Sequence, residues 1–176
     1  MSVDLGLLHI YCGNGKGKTT ACMGLAVRAA GGGFKVFVVQ FMKGRPTGEI
    51  EALKKIENIT VVREKLTPKF SFNMTDEEKA ETTKIHNDML LRAVSACKSG
   101  QCQVLIMDEL LDAYNTELID RATVLEFLKD HGGAEVAVSG RDPAAEICEL
   151  ADYISEVKKI KHPFDRGIGA RKGVEK

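Results

Sequence analysis

The sequence predicts an α/β fold, a mostly parallel sheet with helices on both faces, and two observations support it. The first is six short apolar runs rich in β-branched residues, at 7–11, 35–41, 59–63, 103–107, 134–138 and 153–157. The second is that segments with helical periodicity separate most of these runs. Near-continuous apolar strands that alternate with helices are typical of a parallel sheet buried on both sides. One domain over residues 1–176 is the expectation from this length.

The first two helices are predicted from their termini. One begins at about Lys18 and ends near Ala30, because three glycines at 31–33 form a strong C-terminal signal. The other is capped by Thr75, whose three acidic neighbours suit a first turn, and it extends to about Cys97.

Two shorter helices are predicted further along the chain. One covers about 119–131 and ends at a glycine pair, and the other has Pro143 in its first turn and reaches about 151. Two stretches without periodicity, 43–50 and 64–75, are predicted to be loops that follow strands. Ligands of such sheets bind outside the carboxyl ends of the strands, so a second substrate is expected near these loops.

Charge and composition exclude several classes of protein. The 25 basic and 25 acidic side chains cancel, so no overall field attracts nucleic acid or a membrane surface. No apolar stretch approaches the roughly 20 residues that span a bilayer, and the N-terminus lacks the pattern of a signal peptide. The five cysteines show no metal-ligand spacing. We therefore expect a cytoplasmic protein with free thiols and without nucleic-acid or membrane partners.

A glycine-rich segment after the first strand carries the strongest chemical signal. It reads Gly13-Asn14-Gly15-Lys16-Gly17-Lys18-Thr19-Thr20 and leads directly into the first helix. Such a loop directs backbone N–H groups at phosphate oxygens, and the helix dipole adds positive potential. Lys18 can reach a terminal phosphate and Thr19 can bind Mg²⁺. The usual spacing would place a glycine at Cys12, so this loop is one residue short.

An acidic pair at the end of the fourth strand is the expected partner of a phosphate loop. Asp108 and Glu109 directly follow an apolar strand, and a carboxylate there supplies a ligand to Mg²⁺ (or Mn²⁺) directly or through water. The sequence does not decide which of the two contacts the metal. Glu109 could instead orient a hydrolytic water.

Four further side chains are candidate ligand contacts. Lys43 follows the second strand and could counter an anionic substrate or simply belong to a solvated surface loop. Arg141 lies between the fifth strand and the next helix, which places it near the ligand face. Phe70 and Phe72 fall on one side of an extended segment. They could bind a planar apolar ligand or simply pack as a satellite of the core.

The order of these motifs resembles the phosphate-loop family of cob(I)alamin (corrinoid) adenosyltransferases. The matching segments are GNGKGKTTA (13–21), VQFMKG (39–44), DEL (108–110), SGR (139–141), LAD (150–152) and KHPFDRG (161–167). The resemblance implies a P-loop NTPase-like (RecA-like) fold. The short loop is itself a feature of that family, in which ATP lies in a reversed sense.

The resemblance implies transfer of the 5′-deoxyadenosyl group of ATP to the Co(I) of a corrinoid, either cobalamin or cob(I)yrinic acid a,c-diamide, with release of triphosphate. This reaction belongs to adenosylcobalamin biosynthesis or salvage. Lys18 would stabilise the leaving group, and ATP would be bound by residues 13–20. Phe70 and Phe72 would occupy the lower axial face of the corrinoid, although the family has Trp where this chain has Phe72.

The resemblance also implies a flavoprotein reductant and a homodimer. The family's N-terminal segment that helps cover the corrinoid has no counterpart before the first strand here. Shielding of the corrinoid is therefore expected to be weaker, or to come from a partner subunit or from other loops.

Two alternatives from other classes stay open at this point. A P-loop ATP hydrolase would use Glu109 to orient water and would release phosphate, and an ATP-sensing module would bind without turnover. A GTPase is disfavoured because no N-K-x-D guanine-binding motif occurs. A small-molecule kinase would need an acceptor-activating base or an arginine-bearing lid, and the sequence offers neither.

Overall fold

Six parallel strands form the sheet that positions every other part of the chain. The structure, a computed structural model, describes residues 4–66, 69 and 71–175. The strands are β1 (Leu8–Cys12), β2 (Val36–Gln40), β3 (Ile59–Val62), β4 (Val104–Asp108), β5 (Glu135–Ser139) and β6 (Tyr153–Glu156). Their order in the sheet is β3-β2-β4-β5-β1-β6, and each neighbouring pair is parallel. The predicted strands and the parallel α/β fold are thus confirmed.

The helices cover both faces of this sheet, as predicted. They are α1 (Lys18–Gly31), α2 (Gly48–Leu53), α3 (Asp76–Lys98), α4 (Leu110–Asn115), α5 (Arg121–Lys129) and α6 (Ala145–Cys148). Short 3-10 turns occupy Ser71–Asn73 and Pro163–Arg166. No helix among the described residues is both long and apolar enough to cross a membrane.

Alternation along the strands divides the core in two. On β4, Ile106 packs with α1 on one face, whereas Leu105 and Met107 pack with Met89 and Leu90 of α3 on the other. Successive side chains of a strand point to opposite faces, so a strand buried on both sides must be apolar throughout. All five residues of β4 are buried.

The predicted caps largely agree with the structure. The Thr75 hydroxyl accepts from the Glu78 N–H, and the Glu78 side chain accepts from the Thr75 N–H, a reciprocal pair that fixes the start of α3. The predicted third helix is α5, whose N-cap is Asp120.

Three helices differ from the prediction. Residues 48–50, predicted as loop, begin α2, and α4 follows β4 with only Glu109 between them. The predicted fourth helix shrinks to Ala145–Cys148, because Asp142 has a φ of 44° and Ala144 is extended. That prediction was wrong for most of its length.

Parallel pairing brings the carboxyl ends of four strands to one edge. Gln40 at the end of β2 lies opposite Asp108 at the end of β4, and Tyr11 of β1 lies opposite Ser139 at the end of β5. Loops that leave these ends therefore converge, and the candidate site lies among them.

Candidate active site

A cavity of about 890 Å³ opens at this edge of the sheet. Its walls include the phosphate loop, the segment around Lys43, Glu109, Arg141 and part of the C-terminal stretch that begins at His162. All of the predicted loop residues from 13 to 20 except Gly13 line it.

The beginning of the phosphate loop packs tightly against the chain that follows β6. The Gly15 N–H donates to the Val157 carbonyl at 2.7 Å, and the Asn14 Oδ1 accepts from the Lys159 N–H at 2.9 Å. A Cβ atom on Gly13 or Gly15 would lie 2.6 or 2.7 Å from the Val157 oxygen. These glycines therefore allow a close approach of two backbones, and the Gly15 amide is engaged within the protein.

The end of the loop is arranged for an anion. Gly17, with a φ of 123°, is the N-cap of α1 and has no side chain to bond the amides of the first turn. These amides and the positive end of the helix dipole suit phosphate oxygens. The Lys18 ammonium donates to the Gly15 carbonyl at 3.0 Å, so it already lies across the loop.

Asp108 is fully buried at the centre of a polar cluster. Its Oδ1 accepts from the Ser139 hydroxyl at 2.6 Å, and its Oδ2 accepts from Gln40 at 2.8 Å and from the Thr19 hydroxyl at 3.2 Å. A buried carboxylate is tolerated only with such partners. They hold Asp108 beside Thr19 in one fixed orientation.

Lys43 supplies the positive charge of this cluster. Its ammonium lies 3.0 Å from the Asp108 Oδ2, 3.0 Å from the Thr19 Oγ1 and 3.5 Å from the Glu109 Oε1. Burial opposes the charge on this group, but the two carboxylates outweigh it and raise the pKa of Lys43. The lysine therefore stays protonated.

Glu109 occupies a strained position at the cavity wall. Its φ of 60° is left-handed, which is uncommon for a residue other than glycine, and its N–H donates to the Ser139 hydroxyl at 3.0 Å. Burial raises the pKa of Glu109, and Lys43 opposes that rise. Glu109 lines the cavity, whereas the preceding residue, Asp108, is fully buried.

Arg63 organises the segment that carries Lys43, and no sequence motif identifies it. Its guanidinium donates to the Gln40 side chain at 2.6 Å and to the Thr47 hydroxyl at 2.8 Å, and also to the Lys43 and Arg45 carbonyls. An arginine at the end of an apolar strand gives only a weak signal.

His86 supports the same segment from α3. Its Nε2 accepts from the Met42 N–H at 3.2 Å and its Nδ1 lies 2.8 Å from the Leu118 carbonyl, so the ring is the neutral Nδ1–H tautomer. Met42 has a φ of 57°. The bond from His86 helps to hold this uncommon backbone conformation directly before Lys43.

The remaining predicted contacts are Arg141, Phe70 and Phe72. Arg141 lines the cavity, and its N–H donates to the Asp112 carboxylate at 3.1 Å. Phe72 is 79% exposed and lies beside the cavity-lining Ser71. Phe70 lies outside the described residues. The structure thus brings together Thr19, Lys43 and the acidic pair, but not Phe72.

The arrangement suits a phosphate chain with a hard cation. The loop and Lys18 can bind phosphate oxygens. Thr19, Asp108 and Glu109 offer oxygen donors of the kind that Mg²⁺ prefers, so the donor set fits that ion.

Comparison with known proteins identifies the family. Residues 4–175 match the family described as ATP:corrinoid adenosyltransferase BtuR/CobO/CobP. The chain is 33% identical over 174 residues to the corrinoid adenosyltransferase of Escherichia coli (strain K12), covering 98% of this chain and 86% of that protein. It is 32% identical over 175 residues to the corrinoid adenosyltransferase of a Sinorhizobium species, covering 98% and 81%.

A solved structure supports the fold alone. The cytoplasmic domain of EssC aligns with a TM-score of 0.53 at 16% identity, over 95% of this chain and 34% of that chain. The family match spans nearly the whole sequence and agrees with the motif order and with the phosphate-loop site. The chain therefore belongs to the ATP:corrinoid adenosyltransferase family, whose members are transferases.

Proposed function

We propose that this protein transfers the 5′-deoxyadenosyl group of ATP to the Co(I) centre of a reduced corrinoid and releases intact triphosphate. One observation carries the proposal: the phosphate loop, Lys18 and the Asp108 cluster share one cavity in a chain of this family. The acceptor is cobalamin or cob(I)yrinic acid a,c-diamide, in biosynthesis or salvage of adenosylcobalamin.

The proposed step is a displacement at carbon. An electron pair of Co(I) forms the cobalt–carbon bond at C5′, the C5′–O bond breaks, and the oxygen leaves with triphosphate. No proton is transferred, so no general base is required. The protein's task is to orient C5′ and to stabilise the charge on the leaving group.

Residues 13–20 supply the binding site for the triphosphate. The α1 N-terminus contributes its unpaired amides, and Lys16 and Lys18 add positive charge at the loop. We assign leaving-group stabilisation to Lys18, whose ammonium already lies across the loop at the Gly15 carbonyl. Lys43 and Arg141, on other walls of the cavity, are proposed to face the same anion.

Thr19, Asp108 and Glu109 are the residues that would hold Mg²⁺ or Mn²⁺. The Asp108 Oδ2 faces the Thr19 hydroxyl at 3.2 Å, and Glu109 lines the cavity beside them. When bound, the ion would neutralise part of the charge that develops on the triphosphate. The buried contacts of Asp108 keep this oxygen directed at Thr19.

Phe70 and Phe72 are proposed to contact the corrinoid. The Phe72 ring is 79% exposed, and its neighbour Ser71 lines the cavity. Aromatic contact at the lower axial face would favour loss of the lower axial ligand from Co(II). Co(II) would then be easier to reduce, since axial ligation sets the potential of such a centre. A flavoprotein is the proposed electron donor.

The remaining assignments are proposals at the level of the whole protein. We propose that residues 1–176 act as one cytoplasmic catalytic domain that forms a homodimer. The family match over residues 4–175 supports the single domain.

A product assay tests the proposed function. With ATP, Mg²⁺ and chemically reduced corrinoid, we expect a light-sensitive cobalt–carbon product together with triphosphate. The Lys18→Ala variant should lose at least about 100-fold in kcat, the scale on which one preorganised charge stabiliser contributes. Phosphate release without any change in the corrinoid spectrum would instead support the hydrolase alternative.

A further inference from the structure

We propose that the Lys43 ammonium occupies the metal position while no nucleotide is bound, and that it leaves this position when Mg²⁺ and ATP enter. The inference rests on the proposed metal site and deepens it, because it names the side chain that balances the charge of that site before the metal and the nucleotide bind. It does not depend on the identity of the acceptor.

The position of the ammonium is the first argument. Lys43 Nζ lies within 3.0 Å of oxygens of Thr19 and Asp108 and 3.5 Å from a Glu109 oxygen. These three residues are the ones that the sequence predicts as metal ligands. An ammonium that contacts the same three oxygens as the expected metal competes with it for that space and charge.

The charge balance is the second argument. Asp108 is fully buried and Glu109 is the next residue, so two carboxylates face one small region. Without a cation, their repulsion and the loss of hydration would destabilise the folded protein. The hydrogen bonds from Ser139 and Gln40 satisfy Asp108 but bring no charge. Among the residues that the structure describes, Lys43 is the cation that contacts both carboxylates.

The attachment of Lys43 is the third argument. Its backbone is fixed, because its carbonyl accepts from Arg63 at 3.2 Å and the preceding Met42 N–H donates to His86. Its side chain, in contrast, is a flexible four-carbon chain that is 23% exposed and lines the cavity. The ammonium can therefore leave the carboxylates without any movement of the loop and remain at the wall of the same cavity as Lys18.

Metal binding by the nucleotide-free protein tests this inference. Free Mn²⁺ has a strong paramagnetic resonance signal that falls on binding, so titration with Mn²⁺ alone gives its affinity. We expect the Lys43→Met variant to bind Mn²⁺ at least about tenfold more tightly than the wild type, because no ammonium competes for the carboxylates. Mg²⁺ should also raise the Tm of this variant more than that of the wild type.

Two controls locate the effect. Adding Asp108→Asn to Lys43→Met should abolish the gained affinity. Lys69→Met, which removes another cavity-lining lysine whose ion pair is with Glu78 at 2.6 Å, should leave Mn²⁺ affinity at the wild-type value. If Lys43→Met does not fold, Lys43→Gln removes the charge while keeping a donor for Asp108.

Equal Mn²⁺ affinity in the wild type and the Lys43 variants would overturn the inference, as would a gain that survives Asp108→Asn. The outcome is separate from that of the product assay. A wild-type protein that makes no cobalt–carbon product would refute the proposed function, whatever the Mn²⁺ titrations show.

Discussion

The proposed role of Phe72 predicts different effects on the reduction of Co(II) and on adenosyl transfer to Co(I). The Phe72 side chain is 79% exposed next to the cavity-lining Ser71, and its proposed contact is the lower axial face of the corrinoid. Replacement by alanine should lower the rate about tenfold when the corrinoid is supplied as Co(II) with a mild reductant, the size expected for one lost apolar contact. Chemically generated Co(I) should restore the rate to within about twofold of the wild type.

Spectroscopic assays with the two starting oxidation states measure this difference. Leu91, a 56% exposed side chain on α3, offers a matched control, because Leu91→Ala also removes an exposed apolar group. Equal losses from Co(I) and Co(II) would rule out an axial-face role for Phe72.

Individual residues also show how far sequence patterns reach. The phosphate loop, Lys43 and the acidic pair could be predicted because each follows an apolar strand, and parallel strands end at one edge. Arg63 could not, since its role depends on contacts with Gln40, Thr47 and two carbonyls that only the folded chain brings together. The role of His86 could not be predicted either, because nothing in the pattern of its amphipathic helix distinguishes it.

At the level of elements, the short phosphate loop is held by the segment after β6. A Cβ on Gly15 would lie 2.7 Å from the Val157 oxygen, and this carbonyl accepts the Gly15 N–H. Gly15→Ala should therefore push the two backbones apart, destabilise the protein by roughly 1–3 kcal/mol and raise the KM for ATP. Gly15 does not have a positive φ, so the effect is steric.

Gly24→Ala is the matched control for this prediction. Gly24 lies in α1 with nothing within 4 Å of its added Cβ, so alanine there should be neutral or stabilise by up to about 1 kcal/mol. Urea unfolding and ATP kinetics of both variants check the comparison. Similar behaviour of the two would contradict a packed junction between the loop and the β6 segment.

The support of Lys43 by α3 predicts a pH dependence. Burial lowers the pKa of His86 below its ordinary value of 6.5, with the Leu118 carbonyl opposing. Because the unfolded chain then binds the proton more readily, this residue's contribution to stability is complete above pH 6.5 and decreases as the pH falls below it. The neutral ring accepts from the Met42 N–H, and protonation would remove that acceptor.

Urea unfolding at pH 8 and pH 5.5 measures this effect. His86→Gln should be less stable at pH 8 but should lose less stability on acidification, by on the order of 1 kcal/mol. Groups common to both proteins, such as Glu109 and Asp112, cancel in the difference. Parallel losses in wild type and variant would show that His86 does not titrate on unfolding.

The strands could be predicted from the sequence more completely than the short helices. The strands were predictable because burial on both faces requires continuous apolar runs. Two short helices were not. α2 begins at Gly48, a poor helix former, and α4 begins at Leu110, with only Asp108 and Glu109 separating it from the apolar part of β4. The last predicted helix was overestimated because Pro143 is compatible with an extended turn as well as with a first helical turn.

The molecule as a whole combines a six-stranded parallel sheet with a phosphate loop that is one residue shorter than usual. Four strand ends bring the loop, the Asp108 cluster and the Lys43 segment to one cavity. We interpret the missing loop residue as an adaptation that binds triphosphate as a leaving group, so that attack falls on C5′ and not on phosphorus.

An oxygen-labelling experiment distinguishes attack at C5′ from attack at phosphorus. ATP carrying ¹⁸O at the oxygen that bridges C5′ and the α-phosphorus is incubated with the protein, Mg²⁺ and Co(I) corrinoid, and the products are measured by mass spectrometry. Displacement at C5′ breaks the bond between carbon and the labelled oxygen, so we expect all of the ¹⁸O in intact triphosphate and none in the adenosyl product. Label retained on adenosine or AMP, with phosphate or diphosphate released, would contradict it.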